Sequence, residues 1–466
     1  MESLPMVESK LTLQLTDMGN ADRFAATIQG NVLHSPIRGW MLWDGCRWAP
    51  DSADMVYEMA LNCVKRIVVE AEVEGVTREQ AAEIVKHAVR SQSRQSLEAM
   101  LAMTARHPAI SISDDQLDSD PWMLAVANGV VDLRQGKLAT HDRSRMNSYC
   151  CLPAYKVDGN RTQWLNFVQT VFDNRPGLVR WVQKAVGYTL TGSTREQCLF
   201  FLHGSGLNGK STFVETLSAV LGDYACHTHS ETFMARSVGS IRNDLARLVG
   251  RRMVVATEVP AGKRLDEVGV KSMTGEERII ARYLHKEFFE FSPAFKIWLS
   301  GNHKPAIVGT DFAIWRRIRV IPFTVTIAPD KADKNLRAKL LQEAEGILAW
   351  AVEGCQLWQL EGLDDVPDEI TQSTQRYREE QDSIGWFVQE VCAVAKGLQI
   401  TAVELYEAYR GWADTNKEEV MSRNEFWIRL QERVPTVHRY RVEREWIYTG
   451  LTLQKPVPLG AVEETE

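Results

Sequence analysis

The segment from Gly204 to Ser211 carries the clearest chemical signature in the chain. It reads GSGLNGKS, in which the third glycine, Gly209, is followed at once by a lysine and a hydroxyl residue. Glycines let backbone N–H groups turn toward bound phosphates, and a following helix adds the positive end of its dipole. The spacing predicts a phosphate-binding loop for ATP, in which Lys210 holds the β and γ phosphates and Ser211 ligates Mg²⁺. The nucleotide-binding residues are Gly204, Ser205, Gly206, Leu207, Asn208, Gly209, Lys210, Ser211 and Thr212.

Glu258 is the candidate for activating the attacking water. It follows the apolar run 253–256, so the pattern predicts a buried strand that ends in a carboxylate. Many nucleotide hydrolases carry an aspartate just before this glutamate, next to the metal, but here that position is Thr257. Either Glu258 also serves as a metal ligand, or a hydroxyl group positions a metal-bound water.

Two further polar signals follow the next predicted strand, residues 294–300. Asn302 comes directly after that strand, where a short amide contacts the γ-phosphate and the water, although a Gly-Asn pair is also typical of a plain turn. Arg316 and Arg317 are candidates for a guanidinium that a neighbouring subunit inserts to stabilise transition-state charge. A solvated basic pair is the alternative interpretation.

The elements that position these residues are short apolar runs alternating with glycine-rich turns and one clear helix after Lys210. This alternation indicates an α/β core. Helical spacing dominates residues 54–107, a tryptophan-rich stretch before it suggests a hairpin, and residues 390–452 suggest two helices followed by two strands. The predicted organisation is a helical N-terminal module (1–120), a connector or oligomerisation region (121–190), an ATPase core (191–330), a helical segment (331–389), a winged-helix-like module (390–455) and a disordered tail (456–466).

Composition restricts the class of protein. The chain has 466 residues, a formal net charge of −7 and 25% charged residues, an ordinary globular balance that excludes a uniformly basic DNA coat. The eight cysteines form no metal-binding spacing, which predicts reduced thiols. No apolar run approaches the ~18 residues of a membrane helix, and the N-terminus lacks a signal-peptide pattern. We therefore expect a cytoplasmic protein that has no membrane contact.

Several motifs in order resemble the superfamily 3 helicases, specifically the helicase part of phage, plasmid and poxvirus primase-helicases. They are the phosphate loop, Thr257-Glu258, VKSMTGEERIIARYLHKEFFEFSP, GNHKP and WRRIRVIPF. The similarity continues upstream through TDMGNADRF, WMLWDGCRW, DPWMLAVANGVVDLRQGKL and VGYTLTGSTREQC, so it covers roughly residues 15 to 330.

This resemblance implies an AAA+-like core that assembles into a homo-hexameric ring, with ATP bound between neighbouring subunits. It also implies a pore hairpin that grips single-stranded DNA. The hairpin would place His285 and Lys286 at its turn, where Lys286 would contact a phosphate and His285 would stack or hydrogen-bond to the DNA backbone. An exposed turn with ordinary charges is the alternative interpretation. Family members fused to a primase carry a long segment before the equivalent of Asp17, so we expect priming by a separate primase or polymerase.

The sequence thus predicts a replicative helicase of a phage or mobile element that unwinds forked DNA, with 3′ to 5′ travel implied by the family alone. A kinase or small-molecule ATPase would explain Lys210 but not Asn302 or the arginines. An origin-binding initiator regulated by ATP remains the main alternative. Two arginine-rich regions, 236–252 and 423–444, stay open between DNA contacts, solvated surface and protein docking.

Overall fold

The structure, a computed structural model, describes residues 14–236, 242–259, 262–283, 287–307, 312–416, 418 and 420–454. The N-terminal part packs helices on a small antiparallel sheet. Its elements are α1 (Asp17–Ile28), β1 (Val32–Ser35), β2 (Gly39–Trp43), β3 (Trp48–Pro50), α2 (Met55–Arg66), α3 (Arg78–Ser91) and α4 (Arg94–Thr104). The predicted tryptophan-rich hairpin is confirmed, because β2 and β3 pair with Trp43 opposite Trp48. A separate apolar core, which includes Phe24, Val64 and Met100, holds the helices together.

The connector consists of a second small sheet and two helices. Its elements are β4 (Met123–Val126), β5 (Gly129–Asp132), β6 (Lys137–Ala139), α5 (Thr162–Val171) and α6 (Pro176–Leu190). Residue Arg161 at the start of α5 supplies no capping side chain. The buried Glu343 carboxylate caps this helix instead, accepting hydrogen bonds from the backbone N–H of Gln163 at 3.1 Å and of Trp164 at 3.0 Å.

The central sheet has five parallel strands in the order β13-β7-β12-β9-β8. Parallel strands require crossover connections, and α7 supplies the first of them. The elements of this region are β7 (Leu199–His203), α7 (Lys210–Leu221), β8 (Ala225–His229), β9 (Met253–Thr257), α8 (Glu267–Thr274), β10 (Ile279–Arg282), β11 (Phe288–Phe291), β12 (Lys296–Gly301), α9 (Phe312–Trp315) and β13 (Ile318–Pro322). The mixed α/β fold that the sequence predicts for this part of the chain is confirmed.

Alternate residues of each central strand bury opposite faces, as the pleat of a strand requires. On β7, Phe200 and Leu202 join a core with α5, α6 and α7. Leu199 and Phe201 face the other side and join a second core with α8 and Trp315. Because the connector helices share the first core with the sheet, the boundary predicted at residue 190 does not separate two cores.

The rest of the chain is helical and then forms a C-terminal unit with its own core. Its elements are α10 (Leu336–Leu341), α11 (Ala344–Glu361), α12 (Asp368–Glu380), α13 (Ser383–Val391), β14 (Cys392–Thr401), α14 (Ala402–Asn416), α15 (Arg423–Arg433), β15 (His438–Val442) and β16 (Glu445–Leu453). The predicted helices and hairpin are present, but α13 and β14 belong to the same unit, because Ile384 and Phe387 lie in its core. The unit therefore begins before the predicted boundary at residue 390.

All eight cysteines are free thiols, as predicted. Across the part of the chain that the structure describes, no helix combines the length and apolar character that crossing a membrane needs.

Candidate nucleotide site

The glycine-rich loop joins the carboxyl end of β7 to the start of α7, the context that its sequence predicts. Lys210 is the first residue of α7, and only 6% of its surface is exposed. Its Nζ donates to the Gly204 carbonyl oxygen at 2.7 Å, to Asn208 Oδ1 at 3.1 Å and to Asn302 Oδ1 at 3.1 Å. Burial lowers the pKa of Lys210. Among the described residues no carboxylate pairs with this ammonium, so its charge is held by neutral oxygens alone.

The loop backbone turns through left-handed conformations that open it toward solvent. Gly206 has φ +106°, Leu207 +46° and Gly209 +86°. A Cβ atom on Gly209 would lie 2.6 Å from Val171 Cγ1, so this position requires glycine for space as well as for φ. Asn208 holds the loop in place through a buried hydrogen bond, which its Nδ2 donates to the Phe323 carbonyl at 3.2 Å. The result is a rigid, concave row of backbone groups of the kind that binds anions.

Glu258 lies at the same edge of the sheet. It follows Thr257, which pairs with Ser300 of the neighbouring strand, while Gly301 pairs with His203. Strands are about 4.8 Å apart, so Glu258 lies roughly two strands, about 10 Å, from β7. The side chain is exposed, and the backbone has φ +60°, which is costly for a residue with a Cβ atom.

Asn302 follows β12 and links two parts of the site. Its Oδ1 accepts a hydrogen bond from Lys210. The segment that follows Asn302 contacts α12. There the Lys304 Nζ lies 2.6 Å from Glu380 Oε2, the Ile307 backbone N–H donates to Gln381 Oε1 at 3.0 Å, and the Tyr377 hydroxyl donates to the Pro305 carbonyl. The helix α12 therefore holds the segment that follows Asn302, although no sequence motif connects this helix to the site.

Arg316 and Arg317 lie at the opposite edge of the sheet. They precede β13, whose Ile318 pairs with Leu199 at the start of β7. A five-residue strand spans about 13 Å, so neither arginine is part of the nucleotide site of its own chain. The structure separates the pair, because Arg317 is 8% exposed and donates to Thr274 Oγ1 at 3.2 Å and to the Ala313 carbonyl at 2.6 Å. Arg316 is exposed and donates to Gln197 Oε1 at 2.6 Å.

A cavity of about 570 Å³ opens beside Arg316, and Lys271 and Glu277 contribute to its wall. Gln197 also lines it and accepts from both arginines. Gln197 lies within the stretch VGYTLTGSTREQC, but nothing in the sequence assigns this residue a role in the site.

The two arms of the predicted DNA-binding hairpin are present as β10 and β11. They pair antiparallel, with Arg282 opposite Phe288. The predicted DNA contacts His285 and Lys286 at the turn lie outside the described residues.

The residues present fit Mg²⁺-ATP. Ser211 and Glu258 are both exposed at the edge where the loop opens, and Lys210 lacks an anionic partner among the described residues. Within the described ranges no cluster of three or more acidic, His or Cys side chains is arranged to hold a metal by itself. Mg²⁺ typically takes one or two protein ligands and completes its shell with phosphate oxygens and water, so Ser211 with Glu258 is a sufficient set.

Two family models match the chain. One is described as D5 N terminal like and matches residues 21–173, and the other, a family of unknown function (DUF5906), matches residues 202–317. In fold, the chain is similar to the A form apo structure of the NrS-1 C terminal region, with a TM-score of 0.50, 9% identity, and coverage of 92% of this chain and 98% of that chain.

Sequence relatives come from large DNA viruses. The chain is 30% identical over 299 residues to "Putative helicase 022R" of Frog virus 3, which covers 59% of this chain and 30% of the relative. It is 28% identical over 327 residues to "Putative helicase L207/L206" of Acanthamoeba polyphaga mimivirus, which covers 64% of this chain and 34% of the relative. A third relative, "Putative primase C962R" of African swine fever virus, is 24% identical over 44% of this chain and 22% of its own length. The chain therefore spans about a third or less of these relatives, and the matches show that it is similar to proteins named as helicases and primases in these viruses.

Proposed function

We propose that the chain is an ATP-driven DNA helicase motor that works as a homo-hexameric ring on single-stranded and forked DNA. Its core would be AAA+-like, with the phosphate loop on a central strand and Asn302 on the neighbouring strand. The observation that carries this proposal is the bonding of Lys210, whose ammonium is buried against three neutral oxygens at the mouth of the loop. A phosphate chain supplies the anion that such an ammonium lacks.

In the proposed reaction the loop N–H groups and Lys210 bind the phosphates of ATP. Mg²⁺ neutralises charge on the phosphates when bound, held by Ser211 and by Glu258 directly or through water. Glu258 orients the attacking water and takes its proton, and Asn302 contacts the γ-phosphate. Because Asn302 already bonds Lys210, it changes partner when the γ-phosphate arrives and leaves.

The arginine geometry supports a ring. Arg316 lies about 13 Å or more along the sheet from the loop of its own chain, and it faces a surface cavity. A head-to-tail neighbour is the arrangement that brings such a residue to a second nucleotide, and repeated head-to-tail contacts close into a ring. We assign Arg316 as the residue that acts across the interface and Arg317 as the residue that holds Arg316 in position.

Hydrolysis at each interface would then move the β10–β11 hairpins along one DNA strand, with His285 and Lys286 as the proposed contacts. The order of elements α13, β14, α14, α15, β15 and β16 favours a winged-helix-like C-terminal unit. A separate primase or polymerase is the proposed partner for synthesis.

The test is ATP-dependent strand separation on forked duplexes that carry only a 3′ or only a 5′ single-stranded tail. We expect unwinding of the 3′-tailed fork and its loss in Lys210→Ala, which removes the phosphate-binding ammonium. In Glu258→Gln we expect assembly and DNA binding to persist while unwinding stops. DNA-stimulated hydrolysis without unwinding of either fork would instead favour an ATP-regulated initiator.

A further inference from the structure

The C-terminal unit contains a second concave surface that the proposed motor does not use. This surface, called the C-terminal groove, has a volume of about 400 Å³. The starts of α14 and α15 form one wall, with Val403, Tyr406 and Arg423, and the β15–β16 hairpin forms the other, with Arg439, Arg444 and Trp446. Its size lies in the range of small-ligand pockets and suits one nucleotide unit at a time.

Arginines and aromatic rings alternate on the hairpin face of the groove. Arg441 pairs across the strands with Trp446, and Arg439 pairs with Tyr448, so all four side chains share one face. The Arg439 guanidinium lies over two indoles, 4.6 Å from the Trp427 ring centre and 4.7 Å from that of Trp446. Stacking on a ring fixes the plane of a guanidinium while its N–H edges stay available for a phosphate.

The charges around the groove differ between its two walls. On the helical wall, Arg423 lies 3.6 Å from Glu407, and further along α15 Arg429 pairs with Glu425 at 2.9 Å and Arg433 with Asp382 at 2.6 Å. On the hairpin, none of Arg439, Arg441 and Arg444 forms an ion pair with any residue that the structure describes. Glu445 also lines the groove and dilutes this charge. The available cations therefore lie on the hairpin rather than on α15.

We propose that the C-terminal groove binds single-stranded nucleic acid, with bases stacking on Trp446 and phosphates contacting Arg439, Arg441 and Arg444. Trp446 is 42% exposed, so part of its surface is free to receive a base. Only unpaired strands present base faces, because a duplex buries them in its own stack. The arginines of α15 already form ion pairs with carboxylates of the same unit, which argues against insertion of that helix into the major groove of a duplex.

The experiment measures binding of a fluorescent oligothymidylate to the full chain without ATP, by anisotropy. The test variant is Trp446→Ala with Arg444→Ala. The matched control is Trp386→Ala with Arg410→Ala, which removes the same two residue types from the same unit, since Trp386 is 45% exposed and Arg410 pairs with Glu407. We expect the test variant to bind about tenfold or more weakly and the control to change less than about twofold.

Three further readouts separate a binding surface from a folding defect. Trp446→Phe keeps an aromatic face and should retain most of the affinity. The slope of log K against log[salt] should fall in magnitude by about 0.7 for each phosphate that the variant no longer binds. Crosslinking of an iodouracil-containing oligonucleotide should map to the β15–β16 hairpin.

Equal losses of affinity in the test and control variants, or no loss in either, would overturn the proposal. So would tighter binding of a blunt duplex, or of an acidic phosphopeptide, than of the single strand. Because the test and control variants both keep the β10–β11 hairpin unchanged, a difference between them is independent of the DNA contacts proposed for the motor. A chain that fails to unwind DNA can still bind through the groove, and a working helicase can lack this contact.

Discussion

The division of labour between Arg316 and Arg317 gives the sharpest test of the proposed ring. Arg317 is 8% exposed and its guanidinium donates to Thr274, Ala313 and Gln197. Hydrogen bonds from a charged donor contribute about 1.5–3 kcal/mol each and are not additive, so we expect Arg317→Ala to lower the free energy of unfolding by about 2–4 kcal/mol. Arg316→Ala removes an exposed side chain and should change it by about 0.5 kcal/mol or less.

For ATP hydrolysis we expect a severe loss in Arg316→Ala, although this substitution hardly changes the stability of the fold. A guanidinium supplied across an interface typically contributes about 10³-fold or more to the hydrolysis rate, so Arg316→Ala should be folded, assembled and nearly inactive. Lys210→Ala should also be inactive, because each subunit then lacks the phosphate-binding ammonium of its own loop. In an equimolar mixture of these two variants, about a quarter of interfaces combine an intact loop from one subunit with an intact Arg316 from the next.

The assay is steady-state ATP hydrolysis of each variant alone and of the two mixed after dissociation and reassembly. Recovery toward about a quarter of the normal rate is expected if sites act independently, and less if they are coupled. An inactive mixture that contains well-formed mixed rings would refute action across the interface. Full activity of Arg316→Ala alone would remove this residue from the mechanism.

Three further changes test other parts of the structure. Since Glu258 has φ +60°, Glu258→Gly should be more stable than Glu258→Ala by about 1 kcal/mol in denaturant unfolding. Both substitutions should abolish hydrolysis. The reverse order of stability would contradict the strained backbone. Glu343→Ala should lower the free energy of unfolding by about 2–3 kcal/mol because it uncaps α5, and Glu343→Gln should have an intermediate effect. Equal unfolding midpoints of the variants and the unchanged chain would exclude the cap. Tyr377→Phe removes the bond to Pro305 near Asn302 and should lower kcat for ATP with little change in KM, whereas an unchanged kcat would exclude this positioning role.

The elements around the phosphate loop can be predicted because each has a strong local signal. The run before Gly204 is uniformly apolar, as a strand buried on both faces must be, and the periodicity after Lys210 is helical. The same reasoning locates β9 and β12, whereas the antiparallel arms β10 and β11 follow from the family resemblance. It misses β14, whose exposed middle residues lack the alternation of a half-buried strand.

The partners of charged residues cannot be predicted in this way, because pairing depends on which distant segments meet. The sequence leaves the arginine-rich region 236–252 open between DNA contacts and solvated surface. The structure instead buries Arg252, which donates to the carbonyls of Leu190 and Met123, and pairs Arg242 with Asp266 at 2.9 Å. These arginines join segments within the fold, so local charge density overstates the surface available to DNA.

The positions of the site residues in the sheet also explain why the residues of one chain are not sufficient for the proposed hydrolysis. Lys210, Asn302 and Glu258 follow neighbouring parallel strands and would meet in a monomer, whereas Arg316 starts from the opposite edge of the sheet. A fold of this topology can place one cation after the carboxyl end of β7 and another before the amino end of the neighbouring strand β13, but it does not bring both to one phosphate. Hydrolysis that depends on both cations, as we propose, would require a second copy of the chain, and oligomerisation would then be part of the chemistry rather than a later addition to it.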